Sequence, residues 1–577
     1  MAGHSYTQGT ASYTIKVDDR NLPLTVQIRS ISVQKEVNKI PTAHIIILDG
    51  DASQRVFEVG NSDWCIPGRP IEIFVGQAGN ETSIFKGMVV KHGIELRSSG
   101  MTRLNLMCKD FYVKTTIAPV RRYLIDTKDS VAIETILQPY AGLEIQTSET
   151  STVHPELIQY DTTDWDFVVM RAEANGMICV VENGKMTVTK PNLEQEPILN
   201  MAYGSDILDI EAQMDARQQF KTLKTQMWDC VDQVPVEALA IEPTLDLGGN
   251  LNAQAMAFEL PTDVVWSHGG KLEMGELQTL ADAALFKQRM AAIQGRLRIF
   301  GNANIKPNTL INLQGLSERF NGKVWVSGVL HKIEDGVWTS DIQLGWSMRW
   351  FAQDNNLSQQ APPPLVPPIE GLQIGIVTAL EGDPEGEGRI LVRMPMISPR
   401  AEGSWARIVS LDAGTERGFH FKPEIGDEVI VGFLQNDPRK AVVLGAVHSS
   451  NKPSPLPNTD SNHLKGYVSR SKMQWMFDDE NKTITLKTEA GNEIIVSESQ
   501  KQISIQDQNN NKIIMNSEGI VIESSKDLTL KAAATIKIEG INIENKASAQ
   551  YKAEATASVD ISSSGTAILK GNPVLIN

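Results

Sequence analysis

The chain alternates apolar and polar residues over long stretches near its start, a pattern typical of half-buried β-strands. Residues 12–50 and 70–114 carry this alternation with Gly and Asn at the turns, and Ile71-Glu72-Ile73-Phe74-Val75 is a representative run. Residues 295–346 repeat the same character. The pattern therefore predicts two strand-rich regions separated by a region of different spacing.

Three segments of the intervening region have helical spacing. Asp129–Leu137 carries apolar residues on adjoining helical faces, and Glu276–Gln294 is the longest segment and is rich in Ala, Leu and Met. Asp164–Ala174 begins with Asp164 in the position of an N-cap and ends before Asn175-Gly176, a typical helix stop. The front part is therefore predicted to be mixed α+β, with β dominant.

Two proline-rich segments divide the chain. Residues 361–368 hold five prolines in eight positions, and Asn451–Asn458 holds three more. Because proline lacks a backbone N–H and favours extended geometry, the first segment is predicted to be a semi-rigid linker. The second segment is predicted to be another break between domains. The predicted domains are a front part at 1–360, a linker at 361–370, a middle domain at 371–450, a linker at 451–470 and a tail at 471–577.

The middle domain holds five short strand patterns separated by Gly-rich turns. They are Gln373–Leu380, Arg389–Met394, Ser404–Val409, Glu428–Phe433 and Ala441–Val447. Five strands in about eighty residues fit a small Greek-key barrel of the oligonucleotide/oligosaccharide-binding (OB) shape.

The tail repeats one motif, two apolar residues separated by a single position. The first pair is Ile484/Leu486, the last is Val574/Ile576, and successive pairs follow at intervals of five to ten residues. Such regular short strands predict a repetitive β structure. Each repeat has too few apolar residues for a single-chain core, so three intertwined chains are predicted to bury the stripes together. A single-chain β-solenoid or a disordered tail is the alternative.

The three intertwined tails would form a rod, which we call the needle. Its length follows from the spacing of the strands. Residues 472–577 provide about thirteen strands stacked ~4.8 Å apart, which gives a rod on the order of 60 Å long. Its inward positions narrow to Ala553, Ala555 and Ala557. A narrow rod of this kind suits mechanical load better than substrate binding.

Composition excludes several other classes. The chain has 577 residues and a formal net charge of −16, which argues against a protein that coats nucleic acid. It has no apolar run long enough to span a membrane and no signal-peptide pattern at its start, so synthesis in the cytoplasm is expected. The four cysteines have no metal or redox spacing and are predicted to be reduced core thiols. They are Cys65, Cys108, Cys179 and Cys230.

The middle domain contains a set of distinctive short motifs: Trp405-Ala406-Arg407, Gly414, Arg417-Gly418-Phe419, Pro423-Glu424-Ile425-Gly426-Asp427-Glu428-Val429, Gly432-Phe433, Asp437-Pro438-Arg439 and Gly445. With these motifs the domain resembles the barrel of VgrG-type spike proteins. The front part is similar to the hub of the same family and of contractile phage tails. Those residues are Asp164-Trp165-Asp166-Phe167, Ala172-Glu173-Ala174-Asn175-Gly176, Glu276-Leu277-Gln278, Ala281-Asp282-Ala283, Gly301, Leu310, Gly315, Phe320-Asn321-Gly322 and His331. At Pro307-Asn308 the family commonly has Pro-Gly, and because Asn tolerates positive φ we expect the turn to survive.

The resemblance implies a fold and a role for the whole chain. The implied fold is mainly β with an α+β hub, built of tube-like β-barrels plus helices, an OB-fold barrel and a C-terminal intertwined triple-stranded β-helix. The implied role is a homotrimeric central spike of a contractile injection system. Each hub would contribute two barrels, so that three chains present a pseudo-sixfold ring to a hexameric inner tube. A PAAR-type tip protein, baseplate proteins and effector cargo are the other implied partners.

The opening segment is closer to spikes of extracellular, phage-tail-like particles than to cell-anchored type VI spikes. We therefore expect assembly into the baseplate of a particle that acts outside the cell and meets membranes only by puncture. A type VI secretion spike and a structural phage-tail fibre or adhesin are the alternatives.

The last five residues are predicted to form the platform for the tip protein. Pro573, Val574, Leu575, Ile576 and Asn577 follow the last predicted strand and are mostly apolar. A frayed terminus is the alternative. Between Val447 and Ser471 there is no room for the cell-wall hydrolase domain that some relatives carry.

No motif predicts catalysis, a cofactor or a metal site. The acidic groups Asp478-Asp479-Glu480 and Glu385/Glu387 are expected to be solvated surface rather than general acids and bases. Ser404 does not lie in a nucleophile elbow, and His331 is expected to be structural. The glycines of residues 382–388 form an acidic turn that would repel phosphate.

The barrel also lacks the features of a single-strand nucleic-acid binder. Residues 371–450 hold eleven Asp or Glu against eight Lys or Arg, and few aromatic residues. Such binders need a basic groove with exposed rings for base stacking. A non-enzymatic structural protein is therefore the expected class.

Overall fold

The computed structural model describes residues 10–51, 53–77, 79–97, 102–259, 262–357 and 363–576. Asn577 of the predicted tip platform, and Ala361 and Pro362 of the first proline-rich segment, lie outside these ranges. The chain divides into two compact units, residues 1–448 and 449–577.

Seven strands form the first half of the hub sheet. They are β1 (Ala11–Val17), β2 (Arg20–Asn21), β3 (Gln27–Glu36), β4 (Thr42–Leu48), β5 (Pro70–Gln77), β6 (Asn80–Leu96) and β7 (Thr102–Lys109). They lie in the antiparallel order β3-β4-β7-β6-β5-β1-β2. The alternation decides which side chains are buried, since Ile71, Ile73 and Val75 of β5 face one apolar core with residues of the neighbouring strands.

An α/β segment follows the first half of the sheet. Its elements are β8 (Pro119–Lys128), α1 (Asp129–Leu137), β9 (Glu144–Thr147), β10 (Val153–Thr163), α2 (Asp164–Ala174), β11 (Ile178–Glu182) and β12 (Lys185–Thr189). Both helices span their predicted residues, but the predicted N-cap is wrong. Thr163 caps α2 by accepting the Asp166 N–H, because the Asp164 carboxylate instead accepts hydrogen bonds from Arg122, Tyr140 and Gln159.

The second half of the hub follows in the chain. Its elements are β13 (Leu199–Ala202), β14 (Ile207–Met214), β15 (Thr222–Asp229), β16 (Val234–Leu239), α3 (Ala253–Glu259), β17 (Asp263–His268), α4 (Met274–Met290), β18 (Ile293–Phe300), β19 (Thr309–Gln314), β20 (Gly322–Glu334), β21 (Val337–Leu344) and α5 (Phe351–Asp354). Strands β14, β18, β21 and β20 continue the hub sheet, while β16, β15 and β17 form a small sheet that packs on α4. The helices α3 and α5 have seven and four residues, too few to show a period in the sequence.

The longest helix ends earlier than the sequence predicts. The prediction ran to Gln294, whereas α4 ends at Met290 and Ile293 already begins β18. Strand β18 pairs with β14, and Gly295 lies so close that an added Cβ would stand 2.4 Å from the Glu211 carbonyl oxygen. Pairing with β14 therefore overrides the helical propensity of these residues.

The long strand β20 joins the two halves of the hub. It pairs with β21 and β19 of the second half and, from Gly328 to Glu334, with β3 of the first half. The result is one 13-stranded sheet with a separate apolar core under each half. At the turn before β19, Asn308 has φ 65°, which confirms that Asn replaces Gly there without loss of the turn.

The middle domain is a closed barrel. Its strands are β22 (Gln373–Ala379), β23 (Ile390–Arg393), β24 (Ser404–Ile408), the two-residue hairpin strands β25 (Ala413–Gly414) and β26 (Arg417–Gly418), β27 (Glu428–Phe433) and β28 (Ala441–Ala446). The barrel closes in the order β22-β23-β24-β28-β27. All five predicted strands are present, and their inward side chains, such as Val377, Val392 and Val431, form one core.

The proline-rich segment before the barrel is not a free linker where the structure describes it. Leu365, Val366 and Ile369 are almost fully buried, and each packs into a different apolar core. The predicted spacer therefore ties the barrel to the hub, because its aliphatic residues provide apolar contacts that its prolines cannot.

The second unit begins with a seven-stranded antiparallel meander. Its strands are β29 (Leu464–Val468), β30 (Gln474–Asp478), β31 (Thr483–Lys487), β32 (Glu493–Ser497), β33 (Gln502–Gln506), β34 (Lys512–Asn516) and β35 (Gly519–Glu523). Strand β29 lies within the segment predicted as a linker. From 524 to 576, all of it described, the single chain forms no strand.

Candidate functional site

A cluster of charged side chains lies where the hub meets the barrel within the first unit. We call it the ionic joint, and its members are Asp129, His154, Arg171, His268, Glu276, Asp437 and Arg439. The first five belong to the hub, at or near the ends of α1, β10, α2, β17 and α4, whereas Asp437 and Arg439 lie between β27 and β28 of the barrel. All but the partly buried His268 are at most 7% exposed.

Arg171 anchors the hub side of the ionic joint. Its Nε and Nη2 donate to the Asp129 carboxylate at 2.6 and 2.9 Å, a bidentate pair of the strong type. Its Nη1 donates to the Leu365 carbonyl at 2.6 Å, so the buried proline-rich segment is part of the arrangement. The Asp129 carboxylate also lies 3.0 Å from His154 Nε2.

Arg439 connects the barrel to the hub. Its Nη1 donates to both oxygens of Glu276 at 2.9 and 3.0 Å, while its Nε and Nη2 donate to Asp437. Glu276 also accepts from Arg171 at 3.2 Å, so one carboxylate bridges the two guanidinium groups. His268 Nε2 lies 3.1 Å from Asp437 and completes the barrel side.

The guanidinium groups keep the buried carboxylates charged. Burial by itself would raise the pKa of Asp129, but the charge of Arg171 and the hydrogen bonds from His154 and Arg171 lower it below its ordinary value. The pKa values of Glu276 and Asp437 are likewise lowered against the effect of burial, in both cases mainly by the charge of Arg439. The joint therefore requires ionised carboxylates.

A second buried network of polar side chains lies within the hub. Lys287 Nζ donates to Glu173 Oε1 at 2.7 Å, and Asn38 Nδ2 donates to the same oxygen at 3.0 Å. The other Glu173 oxygen accepts the Phe351 N–H at 2.7 Å, and the Lys287 ammonium lies 4.5 Å from the centre of the Trp346 ring. This network links α2, α4, α5 and the end of β3.

Ser404 of the barrel contacts the hub. It is buried in β24, and its hydroxyl donates to Glu156 Oε2 of β10 at 2.9 Å. Burial raises the pKa of the Glu156 carboxyl to about 7, although the hydrogen bond from Ser404 lowers it. The hydrogen bond between Ser404 and Glu156 is therefore a polar contact between barrel and hub. The role of Glu156 was not anticipated from the sequence.

The acidic turn of the barrel is organised by one carboxylate. Asp383 accepts the backbone N–H groups of Glu385, Glu387 and Arg389, and its Oδ1 also pairs with the Arg389 guanidinium. Glu385 is exposed, as predicted, whereas Glu387 is partly buried. The two carboxylates lie 3.3 and 3.8 Å from Lys271 Nζ of the hub. Their charges are therefore used in a contact between hub and barrel.

The other residues that the sequence analysis considered for chemistry lie in the core or in turns. His331 is buried in β20, its Nδ1 lies 2.9 Å from the Ser340 hydroxyl, and burial lowers its pKa to about 3. Asp478 accepts the backbone N–H groups of Glu480 and Asn481 in a turn. Cys65, Cys108 and Cys179 are buried free thiols, whereas the half-buried Cys230 donates to Glu387 at 2.8 Å.

The tail presents its apolar pairs to solvent. In the meander, Ile484, Ile494 and Ile505 are each about 40% exposed on one face. The predicted tip residues Val574, Leu575 and Ile576 are 42, 85 and 88% exposed. A single chain thus leaves unburied the side chains that the sequence predicts to be a core.

Across the described ranges of the chain, no group of three or more His, Cys, Asp or Glu side chains is arranged to hold a metal ion. No described helix is both long and apolar enough to cross a membrane.

Two known protein families match different parts of the first unit. Residues 373–448 match the type VI secretion system/phage-baseplate injector OB domain, which coincides with the closed barrel. Residues 7–335, more than half of the chain, match the family described as the Alg8 N-terminal domain. The chain belongs to the Alg8 N-terminal domain family.

This Alg8-family chain is also similar to VgrG spike proteins in sequence. It is 34% identical over 106 residues to the actin cross-linking toxin VgrG1 of Vibrio cholerae, and 27% identical over 112 residues to the type VI secretion system spike protein VgrG3 of the same species. These matches cover 17 and 18% of the chain but only 10 and 11% of the relatives. The chain thus spans about a tenth of each relative, and the toxin activity named for VgrG1 is stated of that protein.

The fold of the Alg8-family chain is that of a VgrG. The Francisella PdpA–VgrG complex in its lidded form aligns with a TM-score of 0.54 at 10% identity, covering 90% of this chain and 81% of that one. Together with the barrel family and the VgrG relatives, this fold makes the chain similar to spike proteins of the phage-baseplate and type VI class.

The resembling motifs meet in the ionic joint. Glu276 and Asp437-Pro438-Arg439, quoted from the sequence as separate stretches, are in direct contact although 163 residues separate Glu276 from Arg439. Sequence reasoning missed Asp129, His154, Arg171 and His268. The one available signal was Arg171 itself, a charged residue that follows the apolar run Phe167–Met170 of α2.

Proposed function

We propose that three copies of this chain form the central spike and hub of a contractile injection system. The observation that carries the proposal is the tail, whose periodic apolar pairs have no partner surface in the single chain. Three chains wound around one axis would bury these stripes and pair the strand edges. The VgrG-like fold of the first unit supports the same role.

The hub would adapt a threefold spike to a sixfold tube. Each chain carries two sheet halves with separate cores, so three chains would present six similar surfaces. A hexameric inner tube protein is the partner that such a ring fits. Other baseplate proteins would hold the hub in place.

The work of the chain would be mechanical, and it would break no bond. Sheath contraction would drive the tube and spike through the target envelope, so contact with membranes would occur only by puncture. The ionic joint would hold barrel and hub together under this load, because separating them breaks the buried contact between Arg439 of the barrel and Glu276 of the hub.

The end of the tail would carry a PAAR-type tip protein. Val574, Leu575 and Ile576 supply exposed apolar surface for it, with Pro573 and Asn577 beside them. Effector cargo would travel with the spike. The chain would be made in the cytoplasm and assembled into an extracellular, phage-tail-like particle; a type VI spike or a phage-tail fibre is the second candidate.

The mass of the purified chain tests the proposal. Light scattering should give three times the chain mass of 63.5 kDa for the full-length chain down to nanomolar concentration. A version ending at Pro457 should associate much more weakly. A monomer at every concentration would refute the trimeric spike and favour the single-chain solenoid.

The location of the particle is tested separately. Antibodies against the chain should label one end of contractile particles purified from the culture medium. Label found only at the envelope of intact cells would favour the type VI alternative instead.

A further inference from the structure

The outer face of the barrel has an unusual composition on three neighbouring strands. In β27, Val429 and Val431 point into the barrel core while Ile430 points outward between them, and β22 and β28 are also apolar on both faces. Strands that are apolar on both faces are typical of sheets covered on both sides. We call the outward residues Leu372, Ile374, Ile430 and Leu444 the outer stripe.

The outer stripe is one continuous patch. Ile374 is the register partner of Ile430, and Ile430 is the register partner of Gly445, next to Leu444. Leu372 and Leu444 meet over Gly432, since a Cβ there would lie 3.5 and 3.6 Å from their methyl carbons. Within the first unit the patch is left open, with Leu372 61% and Leu444 47% exposed.

The size of the outer stripe indicates what kind of partner can cover it. Four partly exposed aliphatic side chains fall far short of the ~800 Å² per partner that a stand-alone interface buries. A free protein would not be held by so small a patch. A partner already tethered nearby would be, because tethering supplies a high effective concentration.

The chain provides such a tether. Only residues 449–463 separate the first unit from β29 of the tail, and fifteen residues span at most about 50 Å. When tails of different copies associate, their barrels are therefore held within reach of one another.

We propose that the outer stripe is the contact between the barrels of neighbouring copies, an inference that rests on the proposed trimer. The barrel then contributes to assembly separately from the tail. The stripe packs against the barrel of the next copy, and its leucine and isoleucine side chains become buried only in the assembled spike.

Thiol labelling of the full-length chain tests this contact. Leu444→Cys is placed in a Cys230→Ser background, since the other three cysteines are buried. Leu411→Cys, at a position that is 92% exposed on the same barrel, is the matched control. In the trimer, position 444 should react with a maleimide at least about tenfold more slowly than position 411, because reaction requires the contact to open.

A second background identifies what covers the stripe. Ile494→Asp with Ile505→Asp is expected to dissociate the tails, and position 444 should then react as fast as position 411. Protection that persists in the monomer would mean that the same chain covers the stripe and would overturn the proposal. Equal labelling in a chain that light scattering shows to be trimeric would overturn it too, while leaving the proposed trimer intact. A wild-type chain that is monomeric would instead remove the proposed function itself.

Cross-linking distinguishes a neighbouring barrel from a neighbouring tail. A photoreactive benzophenone side chain at position 372 should join peptides of isotope-labelled and unlabelled chains that were mixed before assembly. Cross-links that map to residues 371–450 of the other copy support the proposal. Cross-links that map to residues 464–576 contradict it.

Discussion

The two units of this protein solve the burial of side chains in different ways. In the first unit, charged groups as deeply buried as Arg171 and Arg439 find all their partners within the same chain. In the second unit, apolar residues such as Ile494 and Ile505 remain exposed in a regular row. The buried charges of the first unit therefore need no second chain, whereas the second unit has the surface of an interface. The comparison teaches that completeness of burial, and not regularity of strands, separates a folded core from an assembly surface.

The largest expected effect comes from charging the tail. Ile494 and Ile505 are register partners on the exposed face, and Ile494→Asp with Ile505→Asp would place unpaired charges in the predicted core of the needle. We expect the full-length chain to change from trimer to monomer in light scattering while the circular dichroism of the hub is retained. Ser504→Asp, on the other face of β33, is the control and should leave the mass unchanged.

The next effect comes from breaking the ionic joint. Arg439→Met removes the guanidinium that donates to both Glu276 and Asp437. Each buried carboxylate then keeps its weaker partner, Arg171 or His268, so the free energy of unfolding should fall by about 3–5 kcal/mol. Urea denaturation followed by tryptophan fluorescence measures it. Arg417→Met breaks an exposed pair with Asp412 in the same barrel and should cost less than about 1 kcal/mol. Equal losses in both variants would show that the joint contributes no special stability.

A smaller effect is expected in the proline-rich segment. Leu365→Ala should lower the free energy of unfolding by about 2–5 kcal/mol, because Leu365 is buried in the core formed with α4. Leu24→Ala, at a fully exposed position of the hub, should change it by no more than about 0.5 kcal/mol. If Leu365→Ala were as mild as Leu24→Ala, the segment would be a spacer, as the sequence alone suggested.

The smallest effect concerns pH and has two opposite parts. Asp129, Glu276 and Asp437 have lowered pKa values in the folded chain, so they stabilise it above their unfolded values near 4 and lose this effect as the pH falls further. Glu156 has a raised pKa of about 7, so its contribution is present below about 4.5 and is lost as the pH rises to 7.

The variant Glu156→Gln separates these two parts. It should flatten the decline in thermal stability between about pH 4.5 and 7 without changing the loss in acid, since the other three carboxyls remain. Thermal melts of the variant and the wild type across that range provide the measurement. An unchanged slope above pH 4.5 would mean that Glu156 does not titrate as its burial indicates.

Local pattern predicted much of the secondary structure. The five barrel strands and the helices Asp129–Leu137 and Asp164–Ala174 follow from periodicity and stop signals within a few residues of each element. The end of α4 could not be predicted in this way, because the strand that begins at Ile293 forms through pairing with β14. Likewise, the N-cap Thr163 was missed because Asp164 is engaged by residues from other elements.

The candidate site was predictable only in fragments. The stretches containing Glu276 and Arg439 carried the family resemblance, but nothing in the sequence pairs residues that are 163 positions apart. Asp129 and His154 look like ordinary polar residues until α1, β10 and α2 bring them around Arg171. The prediction that the proline-rich segment is a spacer failed for the same reason. The burial of Leu365 depends on a core built by residues that are distant in sequence.

The sequence by itself determined the order of hub, barrel and repetitive tail, because hydrophobic period and proline content are local properties. Tertiary structure alone decided that hub and barrel are locked together by shared charges and by the buried residues of the segment between them. The physical reason is that a charge or a methyl group is stabilised by what surrounds it, and in this chain those surroundings come from segments that are far apart in sequence.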